Sequence, residues 1–142
     1  MPIDFRCDCP FTSSLDVLGD KWMLVLIKLM LIEEKKTFKD FTTSEEAIAT
    51  NILSVKLKLL EEMGLVTKMQ KPNNKKVYYY ILTEKALDLA PVLVELAFWS
   101  DQHLRNLHPT LANGENMQLL RKDPRAFAQV LVAEYRKKAI AD

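Results

Sequence analysis

The most informative part of this chain is residues 50–85, which read TNILSVKLKLLEEMGLVTKMQKPNNKKVYYYILTEK. In its first part Leu53, Leu57 and Leu60 recur at i, i+4 and i+7, which is the spacing of one face of an α-helix. Gly64 then stands where a glycine commonly ends a helix. The sequence therefore predicts a helix over residues 50–63 with its leucines turned toward the core.

The face of this helix opposite the leucines is polar without being densely charged. At 100° per residue it carries Asn51, Ser54, Val55, Lys58 and Glu62, with Lys56 at its flank. A helix about 10 to 12 Å in diameter fits the major groove of DNA, where small polar side chains can hydrogen-bond base edges. The plain alternative is a solvated surface face that binds nothing.

A basic hairpin is predicted directly after this helix. Residues 65–71 and 76–82 are rich in Val, Tyr, Ile and Thr, which favour strands, and the polar residues 72–75 connect them. Residues 51–85 contain seven lysines and three glutamates, a net charge of +4, while the remainder of the chain is net negative. A local basic patch of this kind is the electrostatic footprint that DNA binding requires.

Toward the N-terminus the sequence predicts three further helical segments. Ser13 or Ser14 can cap a short helix that is broken at Gly19-Asp20. Residues 22–32 are so apolar that their helix should lie centrally and be covered on most sides. Residues 37–41 are typical of the entry to a short helix.

Toward the C-terminus the predicted elements are again helical. Thr83 is expected to cap a helix after the hairpin, and Pro91 either kinks that helix or begins a second one. Residues 108–114 indicate a loop, and Asp123-Pro124 predict the start of a last helix. The predicted fold is therefore mainly α with a small β-hairpin, in the element order of a winged helix-turn-helix.

Length and composition exclude several classes of protein. The chain has 142 residues, of which 49% are hydrophobic and 27% charged, as is typical of one globular domain. Its net charge of +1 excludes a protein whose whole surface is strongly basic or strongly acidic, so a nucleic-acid site has to be a local patch. The longest apolar run, residues 22–32, is shorter than the roughly 20 residues of a bilayer span, and the first ten residues lack the apolar stretch of a signal peptide. We expect a cytoplasmic protein with reduced thiols and no membrane partner.

No pattern in the sequence favours catalysis or a cofactor. There is no Gly-rich phosphate loop, no H-E-x-x-H and no serine elbow, so we do not expect an enzyme. Cys7, Cys9, His103 and His108 lack the spacing of a structural zinc site, and no metal is predicted. The competing function is a winged-helix module that binds another protein and no DNA, which a weak salt dependence of binding would reveal.

Five motifs together resemble one family of proteins. They are Cys9-Pro10, LDVLGDKW at residues 15–22, FKDF at 38–41, IATNILSVKLKLLEEMGLV at 48–66 and YILTEK at 80–85. This combination resembles the HxlR-type winged helix-turn-helix transcriptional regulators, which are related to the MarR group, and the resemblance covers residues 7 to about 100. Ala86 stands where the family usually has glycine, and Lys56 where arginine is frequent, so an operator sequence is not carried over.

The resemblance implies a sequence-specific transcriptional regulator that acts as a homodimer, joined through flanking N- and C-terminal helices, on a pseudo-palindromic DNA operator. Half-sites about 34 to 36 Å apart would let two recognition helices enter successive major grooves. Residues 1–100 would form the DNA-binding domain, and residues 101–142 a helical extension packed on that domain or on the dimer partner. The implied DNA-binding residues are Lys39, Thr50, Asn51, Ser54, Val55, Lys56, Lys58, Asn74, Lys75 and Lys76. Asn51 and Ser54 are expected at base edges, whereas Thr50, Lys56 and the hairpin lysines are expected at phosphates.

The resemblance also concerns the two cysteines. Cys9 occupies the position at which some members of the family carry a redox-sensing cysteine before a proline. Nearby aspartates would oppose a thiolate whereas Arg6 and Lys21 would favour it, so a redox-sensing thiol and an unreactive one both stay open. Cys7 could resolve an oxidised Cys9, and because a C-x-C ring is tight, a disulfide between subunits is the expected product. An oxidant or a small molecule is the effector that these residues suggest.

Overall fold

A computed structural model describes residues 3–141 of the chain, with side chains up to residue 139. Its contacts group the chain into two compact units, one ending at Ala86 and the other beginning at Leu87. The roles assigned above to residues 1–100 and 101–142 stay a prediction, because this grouping reports packing and not function. None of the helices within residues 3–141 has the combined length and apolar character that a bilayer crossing needs.

The first unit has the element order that the sequence predicts. It contains α1 (Pro10–Leu18), α2 (Met23–Leu31), α3 (Phe38–Thr42), α4 (Thr50–Glu62), β1 (Val66–Lys71) and β2 (Asn74–Leu82). The short helix α5 (Glu84–Leu87) crosses the boundary between the two units. The second unit contains α6 (Ala90–His103), α7 (Glu115–Lys122) and α8 (Pro124–Ala141). The predicted fold class, mainly helical with a small antiparallel hairpin, is confirmed.

Helix α2 forms the centre of the first unit, as its composition predicts. Its buried side chains are Met23, Leu26, Ile27, Leu29, Met30 and Leu31. The one charged residue of this helix, Lys28, donates hydrogen bonds to Glu33 and Glu46, each at 2.7 Å from its Nζ. Burial alone would lower the pKa of Lys28, but these two carboxylates outweigh it and raise the pKa above its usual range.

The predicted start of α1 is wrong. The helix begins at Pro10 with Cys9 as the N-cap residue, and the Ser14 hydroxyl donates to the Phe11 carbonyl at 2.6 Å instead of capping the helix. Proline is well suited to the first helical position, because its φ is already close to helical and its missing N–H would have no partner there. The predicted end is correct, since Gly19 closes the helix and a Cβ at that position would lie 2.3 Å from the Leu15 carbonyl oxygen.

Helix α4 has the orientation that its leucines predict. Leu53, Leu57 and Leu60, which we call the leucine stripe, are all buried. Gly64 follows the helix with φ +72°, a left-handed conformation that glycine adopts without strain. The stripe therefore fixes which face of α4 points outward.

The hairpin of β1 and β2, residues 66–82, is called the wing below. Val66 pairs with Leu82 and Gln70 with Tyr78, and the register then shifts so that Lys71 pairs with Asn74. The second strand thus begins two residues earlier than predicted, and only residues 72 and 73 connect the strands. The base of the wing is anchored outside the hairpin, because the Tyr80 N–H donates to the Lys36 carbonyl at 2.8 Å.

The helices of the second unit show which of the two predicted roles of Pro91 is correct, and they include one helix that was not predicted. Pro91 lies in the first turn of α6, so it begins a separate helix and does not kink a longer one. The Asp123 carboxylate accepts the Ala126 N–H at 3.1 Å, which confirms the predicted start of α8. Helix α7 was not predicted from the sequence.

A buried carboxylate holds α6 and α7 together. Asp101 on α6 accepts hydrogen bonds from Arg121 on α7, at 2.6 Å to Nε, and from Arg105. The Arg121 and Arg105 guanidinium groups outweigh the effect of burial and hold the pKa of Asp101 well below its usual range. Arg105 also donates to the Leu111 carbonyl at 3.0 Å, which secures the loop between the two helices.

Replacing Leu57 by alanine tests the orientation of α4. Leu57 is 2% exposed, so Leu57→Ala should leave a cavity and lower the free energy of unfolding by about 2 to 5 kcal/mol. Val55→Ala, on the same helix but 60% exposed, is the control and should change it by less than about 0.5 kcal/mol. Urea denaturation followed by circular dichroism measures both values, and a near-neutral Leu57→Ala would contradict the inward orientation.

Candidate nucleic-acid interface

The outer face of α4 is the set of exposed side chains directed away from the leucine stripe, to which we add Thr50 because it is exposed in the first turn, next to Ser54. Its members are Thr50, Asn51, Ser54, Val55 and Lys58. The Ser54 hydroxyl donates to the Thr50 carbonyl at 3.0 Å, so its oxygen lone pairs remain directed away from the helix axis. The structure thus brings five of the predicted DNA-binding residues together on one accessible helical surface.

The short helix α3 is rigidly built and packs on α4. The Thr37 hydroxyl accepts the Asp40 N–H at 3.1 Å, and the Asp40 carboxylate accepts the Thr37 N–H at 3.0 Å, which together form a capping box. Phe41 is buried, with its ring 6.2 Å from that of Tyr80 in the wing. Lys39 lies on the exposed side of this helix, as the prediction requires.

Lys56 differs from the other predicted contacts because it has a carboxylate partner within the chain. It lies at the half-buried flank of α4, and its ammonium forms an ion pair with Asp20, in the turn between α1 and α2. Burial alone would raise the pKa of Asp20, but hydrogen bonds from Lys56 and from the Met23 and Trp22 N–H groups hold it below its usual range.

The end of α4 is closed by residues that follow the wing. The Thr83 hydroxyl donates to the Gly64 carbonyl at 2.6 Å, and the Lys85 ammonium donates to the Met63 carbonyl at 2.7 Å. A cation is favourable at this position because the last carbonyls of a helix carry partial negative charge. Lys85 is one of the seven lysines of the predicted basic patch, but its ammonium is bound to a carbonyl at the end of α4.

The wing places its predicted residues in the open. Asn74, Lys75 and Lys76 are exposed, and the Asn74 side-chain oxygen accepts the Lys76 N–H at 3.1 Å. The Gln70 amide donates to the Lys75 carbonyl at 3.3 Å and to the Tyr78 hydroxyl at 3.1 Å, so it braces the two strands near the turn.

The sides of the wing are also partly ordered by its own side chains. The Lys68 ammonium lies 4.3 Å from the centre of the Tyr78 ring, a cation–π contact that holds the lysine along the strand. These contacts give the wing a defined shape, while the amines at residues 75 and 76 stay available at its end.

Both cysteines are exposed free thiols near the start of α1. Cys9 is the N-cap residue of that helix, and its side chain makes no capping hydrogen bond. The N–H and hydroxyl groups of Thr12 and the N–H of Phe11 lower the pKa of the Cys9 thiol because they favour its thiolate. Of the two cations that the sequence offered for this effect, Arg6 is engaged elsewhere, since it donates to Asp16 at 2.7 Å from its Nε. The position at the helix start is what favours the thiolate.

Sequence comparison agrees with this arrangement. The pattern of the HxlR-like helix-turn-helix family matches residues 17–108. The chain belongs to the HxlR-like helix-turn-helix family. The match includes α2, α3, α4 and the wing, so the resemblance stated from the sequence motifs is confirmed.

Individual relatives of this HxlR-like protein are transcriptional regulators. One from Halalkalibacterium halodurans is 35% identical over 99 residues, which cover 70% of this chain and 88% of that protein. YodB of Bacillus subtilis is 33% identical over 95 residues, 66% of this chain and 84% of YodB. The reduced form of YodB superimposes with a TM-score of 0.56 over 68% of this chain and 95% of its own, at 32% identity.

A third similar structure is that of the redox regulator HypR in its reduced form. It matches with a TM-score of 0.61 and 28% identity, over 71% of this chain and 99% of HypR. These neighbours confirm the winged helix-turn-helix fold class. They make this HxlR-like protein a member of a family of transcriptional regulators, and its relatives are not enzymes.

The position of Cys9 predicts that its thiol reacts faster than an ordinary exposed one. With Cys7→Ser and Cys9→Ser variants each retaining one thiol, Cys9 should be alkylated by iodoacetamide several-fold faster than Cys7 near pH 7, because more of it is thiolate. Thr12→Val, which removes a hydroxyl that lowers the pKa of the Cys9 thiol, should slow alkylation of Cys9 and leave Cys7 unchanged. Equal rates for the two thiols would contradict the activation of Cys9.

Proposed function

We propose that this HxlR-like regulator binds double-stranded DNA as a homodimer on a pseudo-palindromic operator. The observation that carries the proposal is the outer face of α4, which is exposed beside a lysine-bearing wing while both elements are anchored in one unit. Helix-turn-helix proteins read DNA by laying such a helix in the major groove. A wing beside the groove supplies cations to the phosphate backbone.

The side chains of the outer face divide into two roles. Asn51 and Ser54 carry the hydrogen-bonding groups that can discriminate base edges, and the exposed Val55 can contact a thymine methyl group. Thr50 and Lys58, together with Asn74, Lys75 and Lys76 of the wing and Lys39 of α3, are assigned to phosphates. Lys56 is left out of this set because its ammonium is paired with Asp20.

Exposed apolar faces on two helices support association of two copies. On α1, Phe11 and Leu15 are exposed at i and i+4, and on α6, Val92, Leu96 and Trp99 are exposed at i, i+4 and i+7. Large apolar side chains in a row on a helix are typical of an interface. A two-fold dimer would match the symmetry of a pseudo-palindromic site, so we assign these faces to contacts with a second copy.

A binding assay over a range of salt concentrations tests the function against the competing protein-interaction module. We expect fragments of the source genome, including the region upstream of its own gene, to contain a site bound far more tightly than random DNA. Affinity should fall by orders of magnitude between about 50 and 200 mM salt, since each phosphate contact releases counterions. Absence of DNA binding, or a nearly flat salt dependence, would favour the protein-interaction module.

Lysine variants then locate the phosphate contacts. Lys58→Ala should weaken operator binding and reduce the slope of log affinity against log salt by about one unit per subunit. The double variant of Lys75→Ala and Lys76→Ala should reduce the slope by up to about two units per subunit, with an equal loss of affinity on all sequences.

The control for these variants is Lys122→Ala, which removes an exposed lysine of α7, outside the family match. It should leave the slope nearly unchanged. A wing variant that changes sequence preference, or a Lys58 variant with unaltered affinity, would contradict the assigned contacts.

We further propose that DNA binding responds to oxidants through Cys9. Among the similar structures are HypR, named a redox regulator, and YodB in a diamide-treated and a quinone-bound form. The chain has two cysteines, so a disulfide joins Cys7 and Cys9 within one chain or joins two chains. In either case two thiolates lose two electrons to the oxidant, and diamide takes up those electrons with two protons to become a hydrazine.

The expected oxidation product is a disulfide between subunits, because a ring closed by only one intervening residue is strained. Diamide should therefore change operator affinity and produce a crosslinked dimer on a non-reducing gel, and dithiothreitol should reverse both. Cys9→Ser should abolish both responses and preserve DNA binding under reducing conditions. An oxidant response that persists in Cys9→Ser would overturn the role of this thiol.

A further inference from the structure

Asp20 connects the turn between α1 and α2 to the middle of α4. It follows Gly19, which closes α1, and its carboxylate reaches Lys56, 36 positions along the chain. The two side chains are only partly accessible, with exposed fractions of 32% for Asp20 and 22% for Lys56. This pair is therefore a contact between elements at the flank of the candidate interface.

The two carboxylate oxygens of Asp20 have separate partners. Oδ1 accepts the N–H groups of Trp22 and Met23, each at 2.8 Å, and so satisfies the start of α2. Oδ2 accepts the Lys56 ammonium. Because α2 is the buried centre of the first unit, this carboxylate links Lys56 to the start of the helix around which the unit packs.

We infer that the Asp20–Lys56 pair positions α4 for reading the operator, and that Lys56 is a positioning residue and not a phosphate contact. The inference rests on the proposed DNA binding and adds a role for these two residues. The outer face of α4 is useful only if the helix keeps its rotation about its own axis, and the leucine stripe secures only the opposite side. A second attachment at the flank, from Lys56 to Asp20, restricts the remaining rotation.

Charge argues against Lys56 as a phosphate contact. The Asp20 carboxylate neutralises the Lys56 ammonium at contact distance, and the lysine would have to leave this partner to reach DNA. The amines of Lys58, Lys75 and Lys76 are exposed and need no such exchange. Those three lysines are therefore better placed than Lys56 to contact the phosphates of the DNA backbone.

Whether Asp20→Asn weakens or strengthens operator binding distinguishes a positioning role of Lys56 from a phosphate contact. Asparagine keeps a side-chain oxygen for the start of α2 but loses the charge that holds Lys56. If Lys56 positions α4, Asp20→Asn should weaken specific operator binding, by about two- to fivefold per subunit on the scale of a partly exposed ion pair. If Lys56 contacts phosphate, Asp20→Asn should strengthen binding, because it frees the ammonium and removes a negative charge.

Lys56→Met and Lys58→Met complete the design. Lys56→Met keeps the apolar stem and should weaken binding as much as Asp20→Asn does, without changing the salt slope. Lys58→Met should reduce the slope by about one unit per subunit. The double variant of Asp20→Asn and Lys56→Met should lose no more affinity than either single variant, because both changes break one contact.

Two controls distinguish a positioning effect on DNA binding from an effect of net charge and from an effect on the stability of the protein. Glu45→Gln removes an exposed negative charge in the same unit and should leave affinity unchanged or slightly higher. Thermal unfolding of every variant sets an assay temperature at which all are folded, and the ratio of specific to random-sequence affinity is measured there. A merely stabilising pair would lower the unfolding temperature and leave that ratio unchanged.

The outcomes bear on the two proposals separately. Wild-type protein that binds no DNA fragment overturns the proposed function, and the positioning role with it. Wild-type binding together with tighter or unchanged binding by Asp20→Asn, or with a smaller salt slope for Lys56→Met, overturns the positioning role alone. Weaker and less selective binding by both variants at an unchanged slope supports it.

Discussion

Burial of the leucine stripe is the constraint on which the candidate interface depends. Leu53, Leu57 and Leu60 occupy one side of α4, and removing them from water determines that Asn51 and Lys58 lie on the outward side. A helix that rotated by one residue would move about 100° and would bury polar side chains without partners. The hydrophobic core therefore determines which side chains a DNA groove can meet.

The sequence correctly predicted those elements whose start, end or buried face is marked by residues within the element or next to it. The leucine repeat with Gly64 gave α4, the β-branched and aromatic runs gave the wing, and Asp123-Pro124 gave α8. Helix α7, which begins at Glu115, was missed because its N-cap residue Gly114 has no side chain to mark the start and because only Leu120 of its eight residues is buried. Its main anchor is the Arg121 contact with Asp101, twenty positions away, which no local pattern reveals.

The candidate interface was predictable as a face but not as a set of contacts. Helical periodicity correctly placed Asn51, Ser54 and Lys58 on the outside, because periodicity depends only on spacing. It could not show that Lys56 meets Asp20 or that Lys85 closes the end of α4, since each partner lies more than twenty positions away. The lowered pKa of the Cys9 thiol was missed for a different reason: the Thr12 and Phe11 groups that cause it are close in sequence but belong to a helix start that was predicted too late.

These intramolecular contacts change the meaning of the basic patch. Its charge of +4 includes lysines that neutralise a carboxylate or satisfy helix carbonyls, so counting residues overstates what a duplex would meet. The exposed cations are concentrated instead on α4, at Lys58, and at the end of the wing, at Lys75 and Lys76. Phosphate attraction from such cations is independent of sequence and orients the protein, which leaves discrimination to the uncharged side chains. Selectivity in this HxlR-like protein thus depends on how firmly α4 is held, because a hydrogen bond to a base edge is far more sensitive to small displacements than the attraction between a lysine and a phosphate.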